Sequence, residues 1–166
     1  MLNLKIYALT KYAGELEVIA FDGLVLRANF LCGDSLGNGN GLCNWIYRSL
    51  LLEAPIKVFE DVLFNPIHPS YLAVLITALV DIEITGIYNV ASIGGMSKAD
   101  LARCFCERFS FSASNMASIS IDEYQLLAKR PQDMRMDVSK ISDILPLSLP
   151  SINTTLECLF EDFKSN

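Results

Sequence analysis

The chain has 166 residues, 52% apolar and 19% charged. That is one domain's worth of polypeptide, large enough to bury its own core and too apolar for a disordered or low-complexity polymer. Thirteen basic against nineteen acidic side chains give a net charge of −6, the wrong sign for a free-standing nucleic-acid binder, which must neutralise phosphates.

Mean hydropathy is high, at +0.36. The longest apolar stretch, from Tyr71 to Val80, is stopped by Asp81. A membrane-spanning helix needs about 20 apolar residues, so this stretch predicts a buried helix and no membrane partner. No apolar run follows Lys5 or Lys11 closely enough to read as a signal peptide. The five cysteines are an odd number inside apolar or helical stretches, as expected of buried thiols in a cytoplasmic protein. Cys104 and Cys106 lack the two-residue gap of a zinc knuckle, and His68 is the sole histidine. No metal is expected.

Apolar side chains at three- and four-residue steps predict a first helix over 4–21, ended by Asp22-Gly23. Residues 24–30 predict a buried strand, and 33–41 a polar Gly/Asn-rich loop. A helix follows over 42–53, stopped by Pro55, then a strand over 56–59. Residues 65–69 are extended, since each proline pushes its predecessor out of the helical region. Ser70 is expected to cap the apolar helix that ends near 82. Residues 86–90 predict another buried strand. Ser97, with Asp100 three residues on, predicts a capped helix to about Phe109. A short strand is expected over 119–121, a break at Arg130-Pro131, and a last helix from Ser151 or Asn153. Alternation of this kind predicts an α/β fold with parallel strands.

Four features could carry chemistry. Tyr7 and Lys11, four apart, share a helix face, and an ammonium beside a phenol favours the phenolate. Such a tyrosine can exchange a proton with a carbonyl or alcohol oxygen, although the spacing is also common on inert helices. The Gly37-to-Gly41 run has neither dinucleotide spacing nor a P-loop lysine and reads as a flexible loop. His68, between two prolines, has no carboxylate partner visible in the sequence and reads as structural or solvent-facing. Arg130 could clamp a diphosphate or pair with Asp133 or Asp137 at the surface.

Five segments then fall in a recognisable order. They are Tyr7-Ala8-Leu9-Thr10-Lys11 with Gly14-Glu15; Val25 to Phe30 ending at Gly33; Asp61 with Asn65-Pro66-Ile67 and Leu72-Ala73; Gly86 to Val90 with Ser97 to Ala102; and Ala128 to Pro131 with Met136 to Lys140. Together they resemble the extended short-chain dehydrogenase/reductase superfamily, in its RmlD-like branch of dTDP-4-dehydrorhamnose reductases and related sugar-nucleotide proteins. The resemblance implies the C-terminal portion of an NAD(P)-binding Rossmann-like fold plus a small α/β substrate-binding lobe. Residues 1–31 and 70–93 would belong to the Rossmann-like sheet and helices, and 32–69 and 94–166 mainly to the lobe.

It also implies roles. Tyr7 would protonate a sugar C4 keto oxygen as hydride arrives from NAD or NADP in reduced form. Lys11 would assist Tyr7 and hold the nicotinamide ribose. Asn29 and Phe30 would lie by the cofactor, Phe30 and Leu31 by the sugar, and Arg130 by the nucleotide diphosphate. Two family features are missing from these 166 residues: the Gly-x-x-Gly-x-x-Gly turn that holds the pyrophosphate, and a catalytic Ser/Thr upstream of the tyrosine. The chain therefore reads as the later half of a sugar-nucleotide reductase that needs the other half or a second copy. Alternatives are a non-catalytic sugar-nucleotide-binding or regulatory protein, an inactive remnant, and an epimerase or dehydratase of the superfamily. Phe30, where many epimerases carry asparagine, favours the reductase branch. On this reading the high hydropathy belongs to half of a larger core with its cut face exposed.

Overall fold

The computed structural model describes residues 2–33, 41–125 and 130–164, with side chains from residue 6 onward. Most of the expected loop, 34–40, lies outside the described residues. Helix α1 (Leu2–Ala20) leads to strand β1 (Leu24–Ala28) through Asp22, which has a positive φ of 54°. Gly23 is required there: a Cβ would sit 2.6 Å from Val18 Cγ1 and 2.7 Å from the Val18 carbonyl oxygen. Then come α2 (Leu42–Leu51), β2 (Ile56–Phe59), β3 (Leu63–Phe64), α3 (Pro69–Val80), β4 (Gly86–Val90), β5 (Met96–Ser97), α4 (Lys98–Phe109) and β6 (Met116–Ile119). The chain closes with a 3-10 turn (Ile121–Glu123), α5 (Ser139–Ser142) and α6 (Ile152–Lys164).

The strands make three pairs. β1 and β4 are parallel, from Leu24 opposite Gly86 to Ala28 opposite Val90. β2 and β6 are also parallel, and β3 and β5 antiparallel. This is a mixed α/β chain with parallel strands, as the alternation predicts.

Two apolar clusters hold it. The larger joins α2, α4 and α6 over β2, around Ile46, Phe105 and Leu159. The smaller lies between α3 and the β1–β4 pair, around Leu75, Val90 and Ile141. Helix α1 contributes to neither: Ile6, Leu9, Tyr12 and Leu16 are all more than half exposed.

Local departures from the expected elements have local causes. Helix α3 starts before Ser70. Pro69 occupies its first turn, where a missing N–H costs nothing, and the His68 side chain caps it by accepting from the Ser70 N–H. The short strand falls at 116–119 rather than 119–121, because Ser120 turns into a cap. Its hydroxyl accepts from the Asp122 N–H, and Glu123 accepts from its N–H. β1 stops at Ala28, where its pairing with β4 ends opposite Val90, and the next side chain, Asn29, donates to the Met134 carbonyl. The Ser97–Asp100 capping box forms as expected.

Candidate active site

Tyr7, Lys11 and Glu15 recur every four residues, so α1 presents them along one stripe. The Lys11 ammonium lies 5.7 Å from the centre of the Tyr7 ring, and the Tyr7 ring is 63% exposed. Glu15 fixes the rotation of the stripe. It accepts two hydrogen bonds from Arg27 on β1, the one from Nε at 2.7 Å. Such a fork-to-carboxylate pair is directional as well as attractive. The hydrogen bonds from Arg27 hold the Glu15 carboxyl below its ordinary range, against a smaller opposing effect of burial.

A depressed carboxyl pKa contributes stability that is fully present above the ordinary glutamate value and lost as pH falls through the depressed one. Arg27→Ala should therefore detach α1 at neutral pH as acid does to the wild type. Hydrogen exchange should speed up over residues 9–20 and stay unchanged in α4. Unaltered exchange in α1 would show that the pair does not hold it.

β1 delivers the next residues. Past Asn29, the Phe30 carbonyl accepts from the Ile67 N–H, and the Cys32 N–H donates to the Ile67 carbonyl. Phe30 meets Phe64 edge-on at 5.3 Å between ring centres. Phe30 and Leu31 line a cavity of about 240 Å³ together with Leu42, Cys43 and Pro69. Asn65, another of the motif residues, ties the chain after β3 to the segment at Met136. It is buried, and its side chain both accepts from the Met136 N–H and donates to the Met136 carbonyl. Cys43 is not poised as a nucleophile, since burial pushes its thiol up to about 12.

His68 is buried and not solvent-facing. The carboxylate partner invisible in the sequence is Asp162, on α6, 3.0 Å from Nε2, while Nδ1 is 2.7 Å from Ser70 Oγ. The pair ties α6 to the start of α3 beneath Gly33, a structural role.

Arg130 does not take either of its two surface partners. Asp133 is bound by Arg135, and Asp137 accepts from the Ser139 N–H. Asp61, one of the motif residues, accepts from Ser120 Oγ and from the Ile121 N–H.

A second cavity, of about 540 Å³, adjoins the first at Leu42. Trp45, Phe59 and Tyr124 give it aromatic walls, and Lys98 enters from the first turn of α4. The sequence offers no spacing that marks these four residues, because they meet only when α2 and α4 dock beside the β2–β6 pair.

A Tyr–Lys helix feeding a parallel strand pair, with a cavity just past the end of β1, defines part of a Rossmann-like α/β protein. The chain belongs to the RmlD substrate binding domain family, whose pattern matches residues 3–165. It is 26% identical to the probable low-salt glycan biosynthesis reductase Agl14 of Haloferax volcanii, over 96% of this chain and 55% of that protein. The solved dTDP-4-dehydrorhamnose reductase of Bacillus anthracis, in complex with NADP, superposes with a TM-score of 0.84 at 25% identity, covering 95% of this chain and 55% of that one. A hypothetical dTDP-4-dehydrorhamnose reductase of Sulfolobus tokodaii superposes with a TM-score of 0.72 at 26% identity, covering 89% and 52%. The chain thus spans about half the length of the relatives it matches. Among the described residues no helix is long and apolar enough to cross a membrane, and no cluster of side chains could hold a metal ion.

Proposed function

We propose that these residues form the substrate-binding and proton-donating half of a sugar-nucleotide reductase that reduces a 4-keto sugar with NADH or NADPH. The observation that carries this reading is the stripe of Tyr7 and Lys11 on α1, exposed and locked to β1 by the Glu15–Arg27 pair. A reduced dinucleotide, when bound, would supply hydride chemistry at the C4 carbonyl carbon. The Tyr7 hydroxyl donates its proton to the carbonyl oxygen, so ketone becomes alcohol with charge balanced. Lys11 would hold the nicotinamide ribose, Asn29 and Phe30 would lie by the cofactor, and Phe30 and Leu31 would lie by the sugar. The larger cavity and Arg130 receive the nucleotide.

The residues present fit the ribose end of the cofactor and not its pyrophosphate. The 166 residues have no Gly-x-x-Gly-x-x-Gly turn, and that turn at a helix N-terminus is what binds the phosphates. The bare apolar face of α1 supports a docked cofactor-binding half, in the same or another polypeptide.

Two experiments test this. The 166-residue chain by itself should show no micromolar binding of NADH or NADPH by calorimetry, and tight binding would refute the division of labour. Supplied with a cofactor-binding half, it should oxidise NADH or NADPH in the presence of a dTDP-4-keto sugar. A chain that binds the sugar nucleotide but stays inactive when so completed would point instead to a non-catalytic binding subunit.

A further inference from the structure

Residues 132–137 lead from Pro131 towards α5 outside any named strand, yet their backbone is held closely. β3 begins the grip: the Leu63 N–H donates to the Gln132 carbonyl at 2.7 Å, and the Met134 N–H donates to the Leu63 carbonyl at 2.9 Å. Beyond Met134 three asparagine side chains take over. The Asn29 amide donates to the Met134 carbonyl at 2.5 Å. Asn65 accepts from the Met136 N–H and donates to the Met136 carbonyl, each at 2.9 Å. Asn89, on β4, donates to the Asp137 carbonyl at 3.0 Å. A primary amide carries the donor and acceptor of a peptide group, so these side chains stand in for a neighbouring strand.

Two of the three flank the smaller cavity in mirrored order. Asn29-Phe30 follows β1, and Phe64-Asn65 closes β3. In each pair the amide holds the segment and the ring meets the other ring, Phe30 edge-on to Phe64 at 5.3 Å. Asn65 is 3% exposed, and it also donates to the Ser92 carbonyl at 3.3 Å. Met134 packs against the same apolar cluster as Phe30 and Phe64. The Arg135 stem lies so close to Gly95 that a Cβ there would come within 2.5 Å of Arg135 Cδ. Interiors packed this tightly transmit displacement. A shift of the segment therefore drags Asn29, and with it Phe30, which lines the cavity.

We propose that Asn29, backed by Asn65, is a positioning residue that acts through Phe30: it straps the 132–137 segment to the end of β1 and so fixes the cavity wall that meets the sugar. This rests on the sugar-nucleotide reading of that cavity, and it gives Asn29 a task other than contact with a ligand. The grip on the sugar depends on the strap. The grip on the nucleotide, in the larger cavity, does not.

Two substitutions separate this role from simple filling of space. Asn29→Asp keeps the volume, removes the donor and sets a carboxylate against the Met134 carbonyl. Asn29→Ala removes volume and donor without the repulsion. A residue that only fills space suffers more from alanine, and one that holds the segment by its N–H suffers more from aspartate. In the 166-residue chain, amide exchange read by NMR should speed up by about 10-fold in Asn29→Asp, the scale of one lost hydrogen bond. The affected amides are Met136, Ile67 and Cys32, the last two being those that tie the Phe30 segment to Ile67. Asn29→Ala should show less, and α4 should be unchanged in both.

Ligand binding gives the functional arm. Trp45 is the only tryptophan and lines the larger cavity, so its emission, with calorimetry, follows the nucleotide. Asn29→Asp should bind dTDP-glucose about 10-fold more weakly and dTDP as the wild type does. In the completed protein the KM for the sugar nucleotide should rise while the KM for NADH or NADPH stays.

Unchanged exchange at Ile67 and Cys32, an alanine variant worse than the aspartate one, or equal weakening of dTDP-glucose and dTDP would each overturn the proposal. Should Asn29→Asp not fold, Asn29→Ala must still speed exchange at those amides and weaken dTDP-glucose alone, or the proposal falls. Faster exchange in Asn29→Asp, beside a wild type that binds no dTDP-glucose, would sink the sugar-nucleotide reading and leave Asn29 as the residue that fixes the cavity wall.

Discussion

Phe105→Ala should cost the chain about 3–5 kcal/mol of unfolding free energy, the usual range for emptying a large aromatic site. Phe105 is fully buried. Its ring meets Phe160 and Phe163 edge-on, each at 5.3 Å between centres, stacks on Phe109 at 6.0 Å and tilts against Tyr47 at 6.2 Å. These neighbours come from α2, α4 and α6, three separate helices. They cannot close over a missing ring without moving one another, so the void persists and its lining loses contact. Urea denaturation should show a lower midpoint at similar slope. Because α2 carries Trp45 and α4 carries Lys98, the fluorescence of Trp45 should follow the same transition as the helical signal. A loss below about 1 kcal/mol would mean that the aromatic cluster relaxes and does not set the cavity walls.

What the sequence made legible depended on how far apart the cooperating residues lie. Helices α1 to α4 and α6 announce themselves through apolar spacing, and the Ser97–Asp100 box is local enough to be read directly. β1, β2 and β4 are short apolar runs with clear boundaries. β3 and β5 have two residues each, and two residues carry no period. They exist because Leu63 and Phe64 meet Ser97 and Met96 across the chain. The sequence points to Ser70 as the cap of α3, because a histidine ahead of a proline is a rarer cap than serine, and only the ring position of His68 reveals it.

The candidate site divides along the same line. Tyr7 and Lys11 are one helical turn apart, so their shared face follows from spacing alone. The Arg27 that fixes their direction is twelve residues from Glu15, within reach of sequence only once the turn at Gly23 folds α1 back on β1. His68 and Asp162 are 94 residues apart, and no local pattern joins them. The aromatic cavity is further still from legibility. Trp45, Phe59, Lys98 and Tyr124 come from four separate segments, and their grouping is a property of docked helices, not of any motif. Arg130 could be singled out by its place before Pro131, but its lack of a surface partner became visible only with Asp133 and Asp137 occupied.

Tyr7→Phe should lower NADH- or NADPH-dependent reduction by about 10²- to 10⁴-fold, the usual contribution of a positioned proton donor, when the chain is completed by a cofactor-binding half. Phenylalanine keeps the ring and removes only the hydroxyl. The packing change is small, because the Tyr7 ring is 63% exposed in these residues. Nucleotide binding in the aromatic cavity, read by Trp45, should therefore be unchanged. The split matters: a loss of both would indicate a displaced helix, whereas a loss of turnover alone isolates the proton. Lys11→Met should instead raise the KM for the cofactor as well as lowering turnover, because its ammonium is the group assigned to the ribose. Arg27→Ala joins the two tests. It removes no reacting group, yet it frees the helix face that carries both residues, so it should lower turnover while sparing the Trp45 signal. Normal reduction by Tyr7→Phe would remove the tyrosine from the reaction and leave the chain a binder of sugar nucleotides.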